Sequence, residues 1–487
     1  MIDDIRQKMR EIPGMDILLE KEWVLPWRKE LGRETVKRIF NEELARVRRN
    51  ILEGGDAAQT SPEALRPVLE GMLKARSRRH LRPVINATGV VIHTNLGRSP
   101  LAGPALRAVC EAAAGYSNLE YSLEEGARGD RNSHIEEPLC ALTGAEAALV
   151  LNNNAGAVLL CLSALARGTE VVVSRGELVE IGGSFRIPDI MEFSGATLVE
   201  AGTTNRTYLK DYAKAITERT SMLLKVHPSN FRIEGFTAAP ERAELAALAH
   251  ERGLVFMEDA GSGLLAEGRE LGLEGETSVR TCLEEGADIV TFSGDKMLGG
   301  PQIGVIAGKK DIVARLREVP ALRALRVDKM TLAAFEATLR LYMKGNYDDI
   351  PVLAMLRRTP ESMKAQAARL ASKLRKAVEK PVSDSNLDPD SASKSTLNST
   401  STKIAVVPAE DAVGGGSRPE QPLTGGWGAA VTGHPLGGAG RLQALLRARE
   451  LPLLCGARGD ALVFHVRTLR REDEQEIVRA FEELGQS

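Results

Sequence analysis

The 487-residue sequence has no run of 18 apolar residues, so it lacks a segment able to cross a bilayer as a helix. Its first residues, MIDDIRQKMR, are charged where a secretory leader needs an apolar core, and the expected location is the cytoplasm. Cysteine is scarce: Cys110, Cys140, Cys161, Cys282 and Cys455 are odd in number, widely spaced and form no CxxC pair. That pattern excludes a readable disulfide framework, fits a reducing compartment and implies no metal site. No charge of one sign dominates either, with 64 Lys/Arg against 66 Asp/Glu and a net charge of -2. Any nucleic-acid surface must therefore be a local patch. No internal repeat is visible.

What is present reads as a globular protein of two or three domains, with 43% hydrophobic and 27% charged residues. Residues 1–82 repeat apolar positions three and four apart, as in WRKELGRETVKRIFNEELARVRRNILE, and predict a helical domain. Residues 21–49 hold nine Lys/Arg against five Glu, clustering at Arg46, Arg48 and Arg49. Two readings of that excess stay open: a solvated helix face or an RNA-backbone surface. Residues 83–345 alternate helical stretches with the runs AALVLNN, TEVVVSR, ATLVEAG, SMLLKVH, GLVFMED, ADIVTFS and IGVIAG. This alternation predicts an α/β domain with a mostly parallel central sheet whose ligands sit at the carboxyl ends of the strands. Residues 346–487 predict a small α/β C-terminal domain. Between Ser383 and Thr402, fifteen of twenty residues are Ser, Thr, Asn or Asp, which predicts a disordered insertion.

One stretch concentrates the chemistry. TFSGDKMLGGPQ places Lys296 just after the apolar run ADIV, among Ser293, Gly294, Gly299 and Gly300. Desolvation at such a strand end lowers a lysine pKa and frees the amine as a nucleophile, as a Schiff base to pyridoxal phosphate requires. The glycines are expected to let the chain pass close to a flat cofactor. Asp259, ending LVFME 37 residues earlier, offers the carboxylate that keeps a pyridine nitrogen protonated. The segment Asn152–Asn153–Asn154–Ala155–Gly156–Ala157 follows the run ALVLN and opens an apolar helix, which offers backbone amides to a phosphate. Ser293 adds a hydroxyl. Glu177 and Glu180 are both available for the ring face, and the sequence does not choose between them.

The stretches INATGVVIHTNLGRSPL, YSNLEYSLEEGARGDRNSHIEEPL, NNNAGAV, RGELVEIGGSFRIPDIM, EDAGSG, FSGDKMLGGPQIG and LRALRVDKMT resemble the bacterial selenocysteine synthase family, the L-seryl-tRNA(Sec) selenium transferases. The resemblance spans nearly the whole chain, including REIPGMDILLE near its start. It implies a fold-type I pyridoxal-phosphate enzyme with an N-terminal tRNA-binding domain, assembled as a homodecamer of five dimers. It implies conversion of L-seryl-tRNA(Sec) to L-selenocysteinyl-tRNA(Sec) by selenophosphate, through an aminoacrylyl ester on the tRNA. By the same resemblance Lys296 is the cofactor lysine and Asp295 its catalytic neighbour. Asp259, Asn153, Asn154, Ala155, Gly156 and Ser293 then complete the cofactor site, and Arg98, Arg131, Arg323 and Arg326 hold the selenium donor, whose oxygens guanidinium forks match.

Two features depart from the family pattern, the Ser/Thr-rich insertion and GGGSRPEQPL, and both fall on the small-domain side of the substrate site. Arg467 is at most a weak site candidate, since a seryl ester has no free carboxylate. Of the histidines, His93, His134 and His227 lie near motifs, His134 nearest to the site arginines. The general acid that assists loss of the serine hydroxyl stays open among Lys296, the bound phosphate and His134.

Overall fold

The computed structural model describes residues 7, 9–53, 61–181, 185–228, 231, 233–273, 276–379, 402–414 and 418–485. The expected insertion at 383–402 lies, save for Thr402, outside the described residues. The chain forms two compact units, Met1–Pro83 and Val84–Ser487.

The first unit is helical. Its longest helix, Arg33–Leu52, buries Val36, Ile39, Phe40, Leu44 and Ile51, the three-and-four spacing that puts one apolar stripe on one side. Pro62–Ser77 follows, opened by Ser61, whose hydroxyl accepts from the Ala64 amide at 3.2 Å, with Pro62 at the first helical position. Leu65, Leu69 and Leu73 of this helix join Leu18, Leu19 and Val24 in a separate core. Arg46, Arg48 and Arg49 are all exposed, but Arg46 is held by Glu43 at 2.7 and 2.8 Å.

The second unit carries two sheets. All seven β-branched runs are strands of the larger one, in the spatial order Ala147–Leu151, Gly304–Gly308, Ile289–Ser293, Val255–Gly261, Thr220–Val226, Glu170–Ser174, Thr197–Ala201. Five of them pair in parallel, and Gly304–Gly308 runs antiparallel to both its neighbours, Ile289–Ser293 and the edge strand Ala147–Leu151. Four of the five-residue strands are buried at every position, as expected for a sheet covered by helices on both faces. The carboxyl ends of Val255–Gly261 and Ile289–Ser293 lie side by side, which sets Asp259 beside the turn that carries Lys296.

The smaller sheet has the order Ile85–Ala87, Leu453–Arg458, Ala461–His465, Arg418–Thr432, Lys403–Gly414. Its first strand comes from the start of the unit and pairs in parallel with Leu453–Arg458. Helices Pro360–Glu379 and Arg471–Gly485 pack on it through Leu370, Leu374, Ile477 and Phe481.

Candidate active site

Lys296 is 4% exposed, and among the described residues no hydrogen bond or ion pair engages its amine. Burial pushes the amine below its ordinary pKa, partly opposed by the attraction of Asp259. The turn that holds it is shaped by its neighbours. A Cβ on Gly294 would sit 2.4 Å from Ile303 Cγ2, and one on Gly299, at φ +80°, would sit 2.3 Å from Ile350 Cγ2. Contact with protein atoms thus requires glycine at both positions.

Asp259 is 3% exposed, and burial raises its carboxyl pKa. Its Oδ1 accepts from Asn154 Nδ2 at 2.8 Å and from Thr291 Oγ1 at 3.1 Å. Asn154 Oδ1, beside it, is buried without a partner among the described residues. The pocket is rich in acceptors and short of a donor, which is what a protonated ring nitrogen supplies. The residues therefore fit pyridoxal phosphate.

The expected phosphate end is the start of the helix Asn154–Leu165. Asn153 caps it, its Oδ1 accepting from Gly156 N at 2.8 Å. Because the first turn of a helix has no intrahelical acceptors, the amides of Asn154 and Ala155 remain available to an anion. Ser293 is buried at the neighbouring strand end. Asn152 N donates to Leu325 O at 2.9 Å, which pins the segment bearing Arg323 and Arg326 over this helix start.

The four expected arginines fall into two groups. Arg131 donates to Glu120 and to the Val327 carbonyl, and Arg326 Nη1 stands 4.0 Å from the same glutamate. Glu120, held ionised mainly by Arg131, is the hub of this group. Arg323 is exposed on the short helix Ala321–Ala324. Arg98 stands elsewhere, its Nη1 2.7 Å from Asp295 Oδ2, while Ser99 N donates to Asp295 O at 3.2 Å. Arg98 holds a left-handed backbone, φ 61°, its amide bonded to the His93 carbonyl at 3.1 Å. An arginine in that conformation is uncommon and cooperates with the Asp295 contact in fixing where its guanidinium points.

Other sequence candidates have different work. Glu177 is buried, bound to Lys225 Nζ at 3.2 Å and to Val226 N at 2.9 Å, and Glu180 is paired with Arg186 at 2.7 Å on the surface. His134 Nε2 lies 3.2 Å from the Leu119 carbonyl. Arg467 is buried, with Nε on Asp411 at 2.7 Å and its terminal nitrogens on the carbonyls of Met355 and Thr424 at 3.2 and 3.0 Å. One group escaped the sequence reading, Thr291, the strand partner of Asp259, while His227, noted there as near a motif, donates its amide to the Asp259 carbonyl at 3.0 Å. Thr291 carried no signal of its own, since its place beside Asp259 comes from strand register.

Comparison with known proteins agrees with this architecture. The family described as L-seryl-tRNA selenium transferase matches residues 84–470, and one described as selenocysteine synthase N terminal matches residues 9–48. The L-seryl-tRNA(Sec) selenium transferase of Moorella thermoacetica is 45% identical over 481 residues, covering 98% of this chain and 96% of the relative. The protein of that name from Aquifex aeolicus is 42% identical over 481 residues, covering 99% of each. Among solved structures, D-glucosaminate-6-phosphate ammonia-lyase superposes with a TM-score of 0.56 at 20% identity, covering 83% of this chain and 96% of its own. That likeness shows the fold.

Proposed function

The chain belongs to the L-seryl-tRNA selenium transferase family, and from that membership we propose that it converts L-seryl-tRNA(Sec) to L-selenocysteinyl-tRNA(Sec) with pyridoxal phosphate as cofactor and selenophosphate as donor. The serine β-oxygen leaves, selenium takes its place on Cβ, and phosphate is the other product. The observation that carries the reading is Lys296, a buried amine without a partner among the described residues, beside the donor-poor pocket of Asp259 and Asn154.

Pyridoxal phosphate, when bound, supplies the electron sink that lets a Cα proton leave and a β-substituent depart. Around it the chain's own groups divide the work. Lys296, whose amine burial pushes below its ordinary pKa, holds the cofactor and then moves the proton at Cα. Asp259 holds a proton at the ring nitrogen, and Asn154, bonded to its Oδ1, fixes its orientation. The amides of Asn154 and Ala155, at the positive end of their helix, take the phosphate with Ser293. Asn153 and Gly156 act indirectly, by closing the cap that shapes that turn. His134 is held by the Leu119 carbonyl, so Lys296 is the acid we favour for loss of the hydroxyl. Arg131, Arg323 and Arg326 receive the donor's oxygens, with Glu120 as the counter-ion that the donor replaces. Arg98 completes the set from the side of Asp295, whose carboxylate it orients beside Lys296.

The helical unit is assigned to the tRNA, and the cytoplasm is assigned as its location. No helix among the described residues is long and apolar enough to cross a membrane. Exposed Leu106, Tyr116, Tyr121 and Leu123 support burial against further copies, read as a decamer of five dimers. The decisive experiment is selenophosphate-dependent turnover of seryl-tRNA(Sec) by the wild type and by Lys296→Ala. The variant is expected to lose at least 10²–10⁴-fold in rate, the contribution of one positioned acid–base group. Full activity in it would sink the reading.

A further inference from the structure

A cavity of about 800 Å³ opens beside the Lys296 turn. Its wall includes six arginines, Arg98, Arg358, Arg369, Arg467, Arg470 and Arg471, against a single acid, Asp473. Two features join it to the active site. Arg98 lines it while bonding Asp295, the neighbour of Lys296. Pro351 lines it next to Ile350, which packs on Gly299 of the lysine turn. The volume is that of a drug-sized ligand, since pockets for such ligands run from about 300 to 1,000 Å³, and it exceeds what serine needs.

The arginines are not equivalent. Arg467 is neutralised by buried Asp411, and Arg358 is committed to the Gln366 side chain and the carbonyls of Val466 and Arg467. These two build the inner wall. On the rim, Arg369 is 50% exposed with Glu474 3.6 Å away, and Arg470 is 68% exposed with Asp473 at 3.0 Å and Glu472 at 3.2 Å. Arg471 is exposed, and no hydrogen bond or ion pair engages it among the described residues. The acids Glu474 and Asp473 are buried while the guanidiniums stay half or more exposed, and Glu474 has a second partner in Lys373 at 2.8 Å, so Arg369 and Arg470 keep donors free for a further anion. Among the described residues no aromatic side chain lines the cavity, so these walls offer no stacking platform that reads bases.

We propose that this cavity receives the single-stranded 3′ end of the aminoacylated tRNA. Arg369, Arg470 and Arg471 take its phosphodiesters, and Arg98 stands where the aminoacyl ester turns toward Lys296. The inference rests on the proposed function, because it needs a substrate whose reacting serine is carried on RNA. A chain of phosphodiesters leading to the amino acid matches a row of cations leading to the lysine. Backbone capture without base reading suits an end that is common to all tRNAs.

The test is binding of the full-length protein to uncharged tRNA(Sec), intact or lacking its three 3′-terminal nucleotides, across a salt series. The proteins compared are wild type, Arg470→Gln/Arg471→Gln, Arg369→Gln and Arg471→Lys. On intact tRNA the double variant is expected to bind roughly tenfold weaker or more, as for loss of charged hydrogen bonds. Its slope of log affinity against log salt should be shallower by about 1.4, two single-strand phosphates' worth. Arg369→Gln, which leaves the start of the Arg471–Gly485 helix untouched, should weaken binding in the same way, and Arg471→Lys should stay near wild type. On the shortened tRNA all four should bind alike. Undiminished binding of intact tRNA by the double variant would overturn the proposal, as would an equal loss on shortened tRNA, which places the contact elsewhere on the RNA. Wild-type protein that fails to bind tRNA at all would overturn the function on which it rests.

Discussion

Lys296 and Asp259 are ionisable groups in places that oppose their ordinary charges, and that opposition has a consequence apart from catalysis. Burial holds the Lys296 pKa below 10.5, the value it regains when the chain unfolds. Between the folded value and 10.5 the unfolded state binds one proton more than the folded state, so stability rises with pH across that window. Replacing the amine by an apolar group of similar length removes the penalty. Lys296→Met should therefore melt above the wild type when both are cofactor-free at pH 7, and the gap should narrow as pH is raised toward 10. Thermal midpoints at pH 7, 8 and 9 measure this; a gap that stays constant or widens would show that Lys296 is protonated in the fold. The lysine and aspartate are legible in the sequence because each closes an apolar strand run. Their partners are not. Thr291 meets Asp259 only through the register of two strands, and Arg98 meets Asp295 across 197 residues.

At the scale of elements, the strand runs were readable because a sheet covered on both faces needs β-branched apolar residues at every position. The glycines beside Lys296 were read as room for a flat cofactor, and the structure adds a reason in non-local packing. Gly299 and Gly345 separate the two effects a glycine can have. Both have a positive φ, +80° and +70°, but a Cβ on Gly299 would strike Ile350 Cγ2 at 2.3 Å, whereas one on Gly345 would meet nothing within 4 Å. Gly345→Ala should cost only the left-handed backbone penalty, about 1–2 kcal/mol. Gly299→Ala adds overpacking of about 1–3 kcal/mol and displaces the Lys296 turn, so it should also weaken retention of the cofactor. Thermal melts and the absorbance of bound cofactor check both, and equal costs at the two sites would contradict the packing argument. Arg467 shows the same limit on reading. A late arginine looks free in sequence, yet Asp411, 56 residues away, has already claimed it in the smaller sheet.

At the scale of the whole molecule, charge and chemistry are divided between the two units. Residues 1–83 hold eighteen Lys/Arg against fourteen Asp/Glu, and the remainder holds forty-six against fifty-two. The small net charge of the chain thus conceals a basic helical unit and an acidic catalytic one, a division visible only once the boundary is known. Every group assigned to the cofactor, and the arginine-lined cavity, lies in Val84–Ser487, while the helical unit has its own core around Phe40, Leu44 and Leu69. An acidic body repels a polyanion at long range, so local arginines alone hold tRNA weakly, and the basic unit must supply most of the affinity. A chain of residues 84–487 should accordingly keep the absorbance of bound pyridoxal phosphate and lose tRNA affinity by tenfold or more, with a shallower salt dependence. Unchanged tRNA binding by the shortened chain would assign the RNA to the catalytic unit alone. Loss of the cofactor signal would instead show that the catalytic unit needs its helical companion to fold.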